Sequence, residues 1–129
     1  MNLFQRVDLI LHSGGRSDFK IECDALTDED INTLAYLIYK KYKPILEVYG
    51  VPEGGLRLQK ALLNYISNDV TGNILIVDDV LTTGNSMEEL KSTFEYFPAN
   101  AGLECKGVVI FARGKCPEWV EPIFQMWEN

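Results

Sequence analysis

The chain is poor in the residues that usually announce metal, redox or membrane chemistry. Among 129 residues there are three cysteines, Cys23, Cys105 and Cys116, odd in number and widely spaced. That excludes a disulfide framework and a paired zinc pattern, and it fits a reducing compartment, the cytoplasm. There is one histidine, His12. No apolar run approaches the ~20 residues of a membrane span. The opening stretch MNLFQRVDLILHSGG is interrupted by Gln5, Arg6 and Asp8, so it lacks the unbroken apolar region of a secretory signal. Basic charge is also short: 12 lysines and arginines face 19 acidic residues, for a net charge of −7. This disfavours nucleic acid and anionic membranes as partners. It leaves room for a small anion held by local backbone N–H groups. No phosphate loop of the G-x-x-x-x-G-K-[ST] type occurs, and no repeat or low-complexity segment is present.

What the chain does have is ordinary globular composition, 47% hydrophobic and 24% charged, at a length that suits a single domain over residues 1–129. Leu3, Val7, Ile10 and Leu11 share a helical spacing, which predicts a short helix over 2–11. FKIECD (19–24) alternates as a half-buried strand does. Thr27 caps a helix whose first turn carries Asp28, Glu29 and Asp30 and whose end carries Lys40, Lys41 and Lys43 before Pro44. Its inward stripe is Ile31, Leu34, Ala35, Ile38 and Tyr42. ILEVYG (45–50) is a strand, LRLQKALLNYIS a helix, ILIVD (74–78) a buried central strand, and 85–97 a helix facing inward through Met87, Leu90, Phe94 and Phe97. ECKGVVIFA (104–112) is a further buried strand, and PEWVEPIFQMW a short helical or irregular aromatic tail. The order strand–helix–strand–helix–strand over 45–112 predicts an α/β fold: a small parallel sheet with flanking helices and right-handed crossovers. The first ~40 residues add a helix–strand–helix element (1–43) to the core and tail (44–129).

Ligands of open α/β sheets bind beyond the carboxyl ends of the strands. Two unusual turns lie there, GVPEGG (50–55) and DDVLTTGNS (78–86), each opening into a helix. A helix N-terminus offers unpaired N–H donors and the positive end of the dipole. Thr82, Thr83 and Ser86 add hydroxyls, and Gly84 lets the backbone curl close to a ligand. That chemistry suits a phosphate monoester. Asp78 and Asp79 suit vicinal hydroxyls or hydrated magnesium instead. ILIVDD also opens phosphoreceiver domains, but those carry a phospho-accepting aspartate on a later strand, and no aspartate follows Asp79.

ILIVDDVLTTGNS resembles the phosphoribosyl pyrophosphate (PRPP) signature of type I phosphoribosyltransferases, and GVPEGG sits where that family has its pyrophosphate loop. SGGRSDFKIECDALTD (13–28) resembles the hood segment of the orotate branch. The resemblance implies a PRPP-dependent transfer of the phosphoribosyl group to a nucleobase, giving a nucleoside 5′-monophosphate and pyrophosphate. Magnesium is bound with PRPP rather than directly by the protein, and a homodimer is implied. It assigns Asp78 and Asp79 to the ribose hydroxyls as the catalytic pair. Thr82, Thr83, Gly84, Asn85 and Ser86 fall to the 5′-phosphate, Val51, Pro52, Glu53, Gly54 and Gly55 to the pyrophosphate, and Arg113 to the base.

The chain departs from the family between the two turns. The family's long mobile catalytic loop belongs there, and residues 56–73 hold one helix and NDVTGN instead. A lid that excludes water and delivers a cation is therefore missing. Arg57 either replaces that cation at the pyrophosphate or is an ordinary exposed helix arginine. Glu53 adds a carboxylate where a diphosphate would sit, though it can help hold magnesium. His12 stands where the orotate branch often has a lysine. Phe111, Trp119, Phe124 and Trp127 either stack on a base, seal the sheet, or form a dimer contact. Two functional readings follow: a minimal phosphoribosyltransferase, or a non-catalytic binder of PRPP or a nucleoside monophosphate that has lost its lid.

Overall fold

A strand covered on both faces needs apolar residues at every position, and Ile74–Val77 supplies them. In the computed structural model, which describes residues 1–10, 14–95 and 103–127, this run forms the middle of strand β4 (Asn73–Leu81) and is at most 1% exposed. β4 lies between β3 (Ile45–Gly50) and β5 (Glu104–Ala112), and β5 pairs on its far side with β6 (Val120–Gln125). All three pairings are parallel. The α/β class and the small parallel sheet are as the sequence predicts.

The aromatic tail is a correction: residues 120–125 form β6, neither helical nor irregular. Pro122, which argues against a central strand, is accommodated because β6 is the outermost strand of the sheet. Two of its aromatics pack on the fold. Phe124 stacks on Phe111 at 5.5 Å, and Trp119 packs into the core beside Met87 while donating to Glu88 at 2.7 Å. Trp127 stays exposed.

Helix α1 (Asp28–Tyr42) begins with the expected cap, closed in both directions. The Asp30 N–H donates to Thr27 Oγ1 at 3.0 Å, and the Thr27 N–H donates to Asp30 Oδ2 at 2.9 Å. Its stripe of Ile31, Ala35, Ile38 and Tyr42 is buried, with Leu34 half-buried. Helix α2 (Leu56–Leu62) joins α1 on one face of the sheet, where Leu58 and Leu62 pack with Leu75 and Val77. Full burial of each leucine contributes roughly 1.5–3 kcal/mol. Helix α3 (Asn85–Glu95) lies on the opposite face, with Met87 against Ile76 and Val109. Phe97 lies outside the described residues.

This placement corrects the expectation of two right-handed crossovers. The steps β3→β4 and β4→β5 move the same way across the sheet with helices on opposite faces, so they cannot share a hand. The reason lies in the segment after α2. Ile45 bridges Asn73 of β4 on one edge and Ile66 on the other, in parallel. The chain thus runs from β3 through α2 to the outer edge of β3 and makes a single-residue bridge there. It then passes beneath the start of β3 to enter β4. Hydrogen bonds hold that passage: Ser67 N–H to Ile45 O at 2.8 Å, and Asn73 N–H to Pro44 O at 3.0 Å.

The N-terminal element also differs from expectation. Residues 4–10 form strand β1 (Phe4–Ile10), antiparallel to β2 (Arg16–Ile21), so the element is a hairpin plus α1 rather than helix–strand–helix. The helical spacing of Leu3, Val7 and Ile10 competes with an alternation in the same residues: Gln5 and Val7 are half-buried, while Arg6 and Asp8 are exposed. Pairing with β2 decides in favour of period two. β2 ends at Ile21, and a 3-10 turn (Cys23–Ala25) leads into α1.

Candidate functional site

The turn after β3 is folded tightly onto the end of β4. The Val51 N–H donates to Val77 O at 2.8 Å and the Gly55 N–H to Val51 O at 2.8 Å. The Gln59 side chain turns back to accept from the Gly50 N–H at 2.6 Å. Val51 is buried, while Pro52 and Glu53 are exposed, and the peptide between those two is cis. Gly54 lies close against Asp79: a methyl group there would overlap the Asp79 carboxylate unless that side chain moved. The turn and the acidic pair are therefore in contact.

β4 runs farther than Asp78, taking in Asp79, Val80 and Leu81. Neighbouring strand residues project to opposite sides, and the two aspartates divide accordingly. Asp78 lines a cleft of about 360 Å³ together with Thr82, Thr83, Gly84, Asn85 and Ser86. Asp79 lies against Gly54 and the Cys23 thiol. The carboxylates still adjoin at the strand end. Burial first, and then the Asp79 carboxylate, push Asp78 up to about 8; the Asp79 N–H donating to Asp78 Oδ1 at 2.8 Å offsets part of this. Burial and the same Asp79 carboxylate push the Cys23 thiol up to about 12, so Cys23 stays protonated.

The second turn leads straight into α3. Gly84 has φ +85°, in the left-handed region, and the Pro117 ring packs 3.3 Å from where a Cβ would be. Its carbonyl accepts the Glu88 N–H at 3.0 Å, and the Asn85 N–H donates to Thr83 Oγ1 at 3.3 Å. Thr83, Asn85 and Ser86 are exposed at the cleft. Apart from Asp78, the lining is uncharged. It is a cradle of neutral donors at a helix start, with one carboxyl beside it.

The arginines are engaged elsewhere. Arg57 is neither turned to the pyrophosphate turn nor freely exposed. Its guanidinium donates to Leu26 O at 2.9 Å, Cys23 O at 3.3 Å and Asp28 Oδ1 at 3.2 Å, tying α2 to the 3-10 turn and the start of α1. Arg113, just past β5, is 5% exposed. It lies 3.9 Å over the Phe19 ring and donates to Ser17 Oγ and, at 2.8 Å, to Phe19 O. It thus holds the hairpin to the strand ends. Asp78 and Asp79 meet both turns, whereas the Arg113 guanidinium goes to the hairpin and its backbone N–H to Leu81 O at 2.7 Å.

Sequence reasoning passed over Cys23, Ser17 and Phe19 as individual residues. Ser17 and Phe19 fall within the S-G-x-x-S-x-F stretch that was legible as a segment; nothing in the sequence marks the contact between Cys23 and Asp79. His12 and Ser13 lie outside the described residues.

No protein-family model and no curated protein matches this sequence. Solved structures do. An orotate phosphoribosyltransferase from Aeropyrum pernix is similar at a TM-score of 0.75 and 19% identity, over 96% of this chain and 88% of that one. One from Francisella tularensis is similar at 0.62 and 17% identity, over 95% and 80%. One from Mycobacterium tuberculosis, solved with inorganic phosphate, is similar at 0.64 and 14% identity, over 93% and 86%. The chain has the phosphoribosyltransferase fold, and the solved structures it resembles include the orotate phosphoribosyltransferases.

Proposed function

We propose that this chain binds a 5-phosphoribosyl group in the cleft at the end of β4 and transfers it from PRPP to a nucleobase. The observation that carries this reading is the meeting of the acidic pair with both turns. Asp78 lines the Thr82–Ser86 cradle, and Asp79 abuts Gly54 of the other turn. A ligand with a phosphate at one end, a diol in the middle and a leaving group at the other matches that order. The similar Mycobacterium tuberculosis protein holds inorganic phosphate.

In the reaction, a base nitrogen forms a bond to ribose C1 as the bond from C1 to the pyrophosphate oxygen breaks. Thr82, Thr83, Asn85 and Ser86 anchor the 5′-phosphate through neutral donors and the N-terminus of α3. Asp78 and Asp79 hold the ribose hydroxyls, and the carboxyl oxygens of both face the positive character that develops on the ribose. The exposed Pro52–Gly54 stretch of the first turn would face the diphosphate, and Arg113 would lie on the base side through the hairpin residues it holds, Ser17 and Phe19. Among the described residues no group of three or more metal-ligating side chains occurs. Magnesium would enter this site with the diphosphate, the hard oxygens of Glu53 and the acidic pair lying beside it. When bound, it neutralises the leaving group. A homodimer in the cytoplasm is part of the same proposal.

The second reading, a non-catalytic binder, is favoured by Arg57. The cation nearest the pyrophosphate turn in sequence is bonded to the N-terminal element.

Titration calorimetry with PRPP and magnesium, followed by nucleobases with pyrophosphate detection, tests both. Binding with pyrophosphate released upon one base supports the transferase. Binding without release on any base supports the binder. No binding of PRPP overturns the proposal.

A further inference from the structure

We infer that the open cavity between the N-terminal hairpin, α1 and the β5–β6 edge of the sheet binds a small organic ammonium ion with an apolar, ring-bearing body. The site is separate from the strand-end cleft, since no residue lines both, and it does not rest on the phosphoribosyl reading.

The cavity measures about 720 Å³, a volume that suits a free small molecule. Its walls are mostly apolar, and three phenylalanines shape one side. Phe4 meets Phe111 edge-on at 5.6 Å with the rings 82° apart, and Phe124 stacks on Phe111 at 5.5 Å. Phe4 and Phe124 are each 49% exposed, so both keep ring area for a further contact. Rings crossed in this way turn π-faces in more than one direction, which is how aromatic walls hold a cation.

The polar lining sets the charge of the ligand. Asp30 lines the cavity, and among the described residues no lysine, arginine or histidine does. Asp30 accepts the Thr27 N–H through Oδ2 at 2.9 Å, and among the described residues nothing bonds to its Oδ1. The other polar residues have spent their hydrogens. The Thr33 hydroxyl donates to Glu29 O at 2.8 Å. The Gln125 amide nitrogen is turned to the carbonyls of Ala112 at 3.2 Å, Gly114 at 3.3 Å and Met126 at 3.2 Å. These side chains therefore still offer acceptors and a negative charge, and no donor. An anion would meet Asp30 with no side-chain hydrogen to hold it. An ammonium supplies the missing donors, pairs with Asp30 and lies against the ring faces, while its apolar body covers the phenylalanines.

The experiment is titration of the full chain, followed in amide NMR spectra, with three probes that share one ring: phenethylamine, a cation at neutral pH, phenethyl alcohol and phenylacetate. The expected result is saturable shifts at residues 30–34 and 124–126. Phenethylamine binds about tenfold tighter than the alcohol, and phenylacetate is the weakest. Asp30→Asn, which keeps an acceptor for the Thr27 N–H, brings the amine to within about threefold of the alcohol. Phe124→Leu, on the outermost strand, keeps an apolar side chain and weakens the amine about threefold or more, with the amide spectrum of the core unchanged. Alcohol or phenylacetate binding as tight as that of the amine overturns the ammonium assignment. No saturable shift at these residues with any of the three overturns the cavity as a site, whatever the strand-end cleft binds.

Discussion

The two turns that close the strand ends are made of similar parts and do different work. Both follow a parallel strand, both depend on a glycine, and both open into a helix. The turn after β3 is short of donors: its N–H groups at Val51 and Gly55 are already bonded, Gln59 occupies the Gly50 N–H, and Glu53 faces solvent. The turn after β4 keeps Thr83, Asn85 and Ser86 exposed around an open cleft, with Asp78 the one acidic residue lining it. One glycine-rich turn is closed on itself and acidic; the other is open and neutral. A glycine turn at a strand end is thus not an anion site by composition alone. The side chains around it, hydroxyls at one turn and carboxylates at the other, decide.

The largest expected effect breaks the open turn. Thr83→Val combined with Ser86→Ala removes two hydroxyl donors and no core contact. Hydrogen bonds to a charged group are worth about 1.5–3 kcal/mol each. The pair should weaken a nucleoside monophosphate by two orders of magnitude or more by calorimetry, with the melting temperature nearly unchanged. Unchanged affinity would remove the cradle from the comparison.

Asp78→Asn addresses the carboxyl that the two turns share. In the folded chain Asp78 titrates near 8, well above the ordinary carboxylate value it has when unfolded. Between those values the folded state keeps a proton that the unfolded state releases. Stability is therefore full at low pH, falls as pH rises through the interval, and levels off above pH ~8. With allowance for screening at a half-buried site, the loss is on the order of 2 kcal/mol. The asparagine variant should lack this slope and be the more stable protein at pH 9, as read by urea unfolding at several pH values. A wild-type profile flat from pH 5 to 9 would contradict the buried, carboxylate-paired environment.

How far the sequence could be read follows the same physics. The α1 cap, its buried stripe and the central strand were legible because each is a local pattern: a capping box, a 3.6 period, an unbroken apolar run. Most of the candidate site was legible as well, since its residues are contiguous in two turns. What failed was non-local. Residues 4–10 fit two periods, and only the presence of β2 chooses between them. Residues 120–125 become a strand because β5 offers an open edge. The hand of the β3–β4 connection depends on where one residue, Ile66, bridges. The arginines show the limit most clearly: Arg57 and Arg113 carry ligand roles by position in the sequence, yet the contacts of both reach residues some 30 or more positions away.

Arg57→Ala sharpens the closed turn with the smallest effect. The Asp28 partner is almost fully exposed, so that ion pair contributes little. The contacts to the Cys23 and Leu26 carbonyls matter more, because they fix the 3-10 turn that sets Cys23 beside Asp79. Their loss should cost about 1–2 kcal/mol in urea unfolding. If Arg57 serves only as this clamp, its removal lowers stability while changing PRPP affinity in magnesium by less than about threefold, since no ligand contact is lost. Arg57→Lys should recover little of the stability, because an ammonium cannot reproduce a fork that spans two carbonyls. A tenfold or greater loss of PRPP affinity at unchanged stability would instead return Arg57 to the pyrophosphate turn. The acidic turn would then have its cation after all, and the contrast between the two turns would narrow to hydroxyls against carboxylates alone.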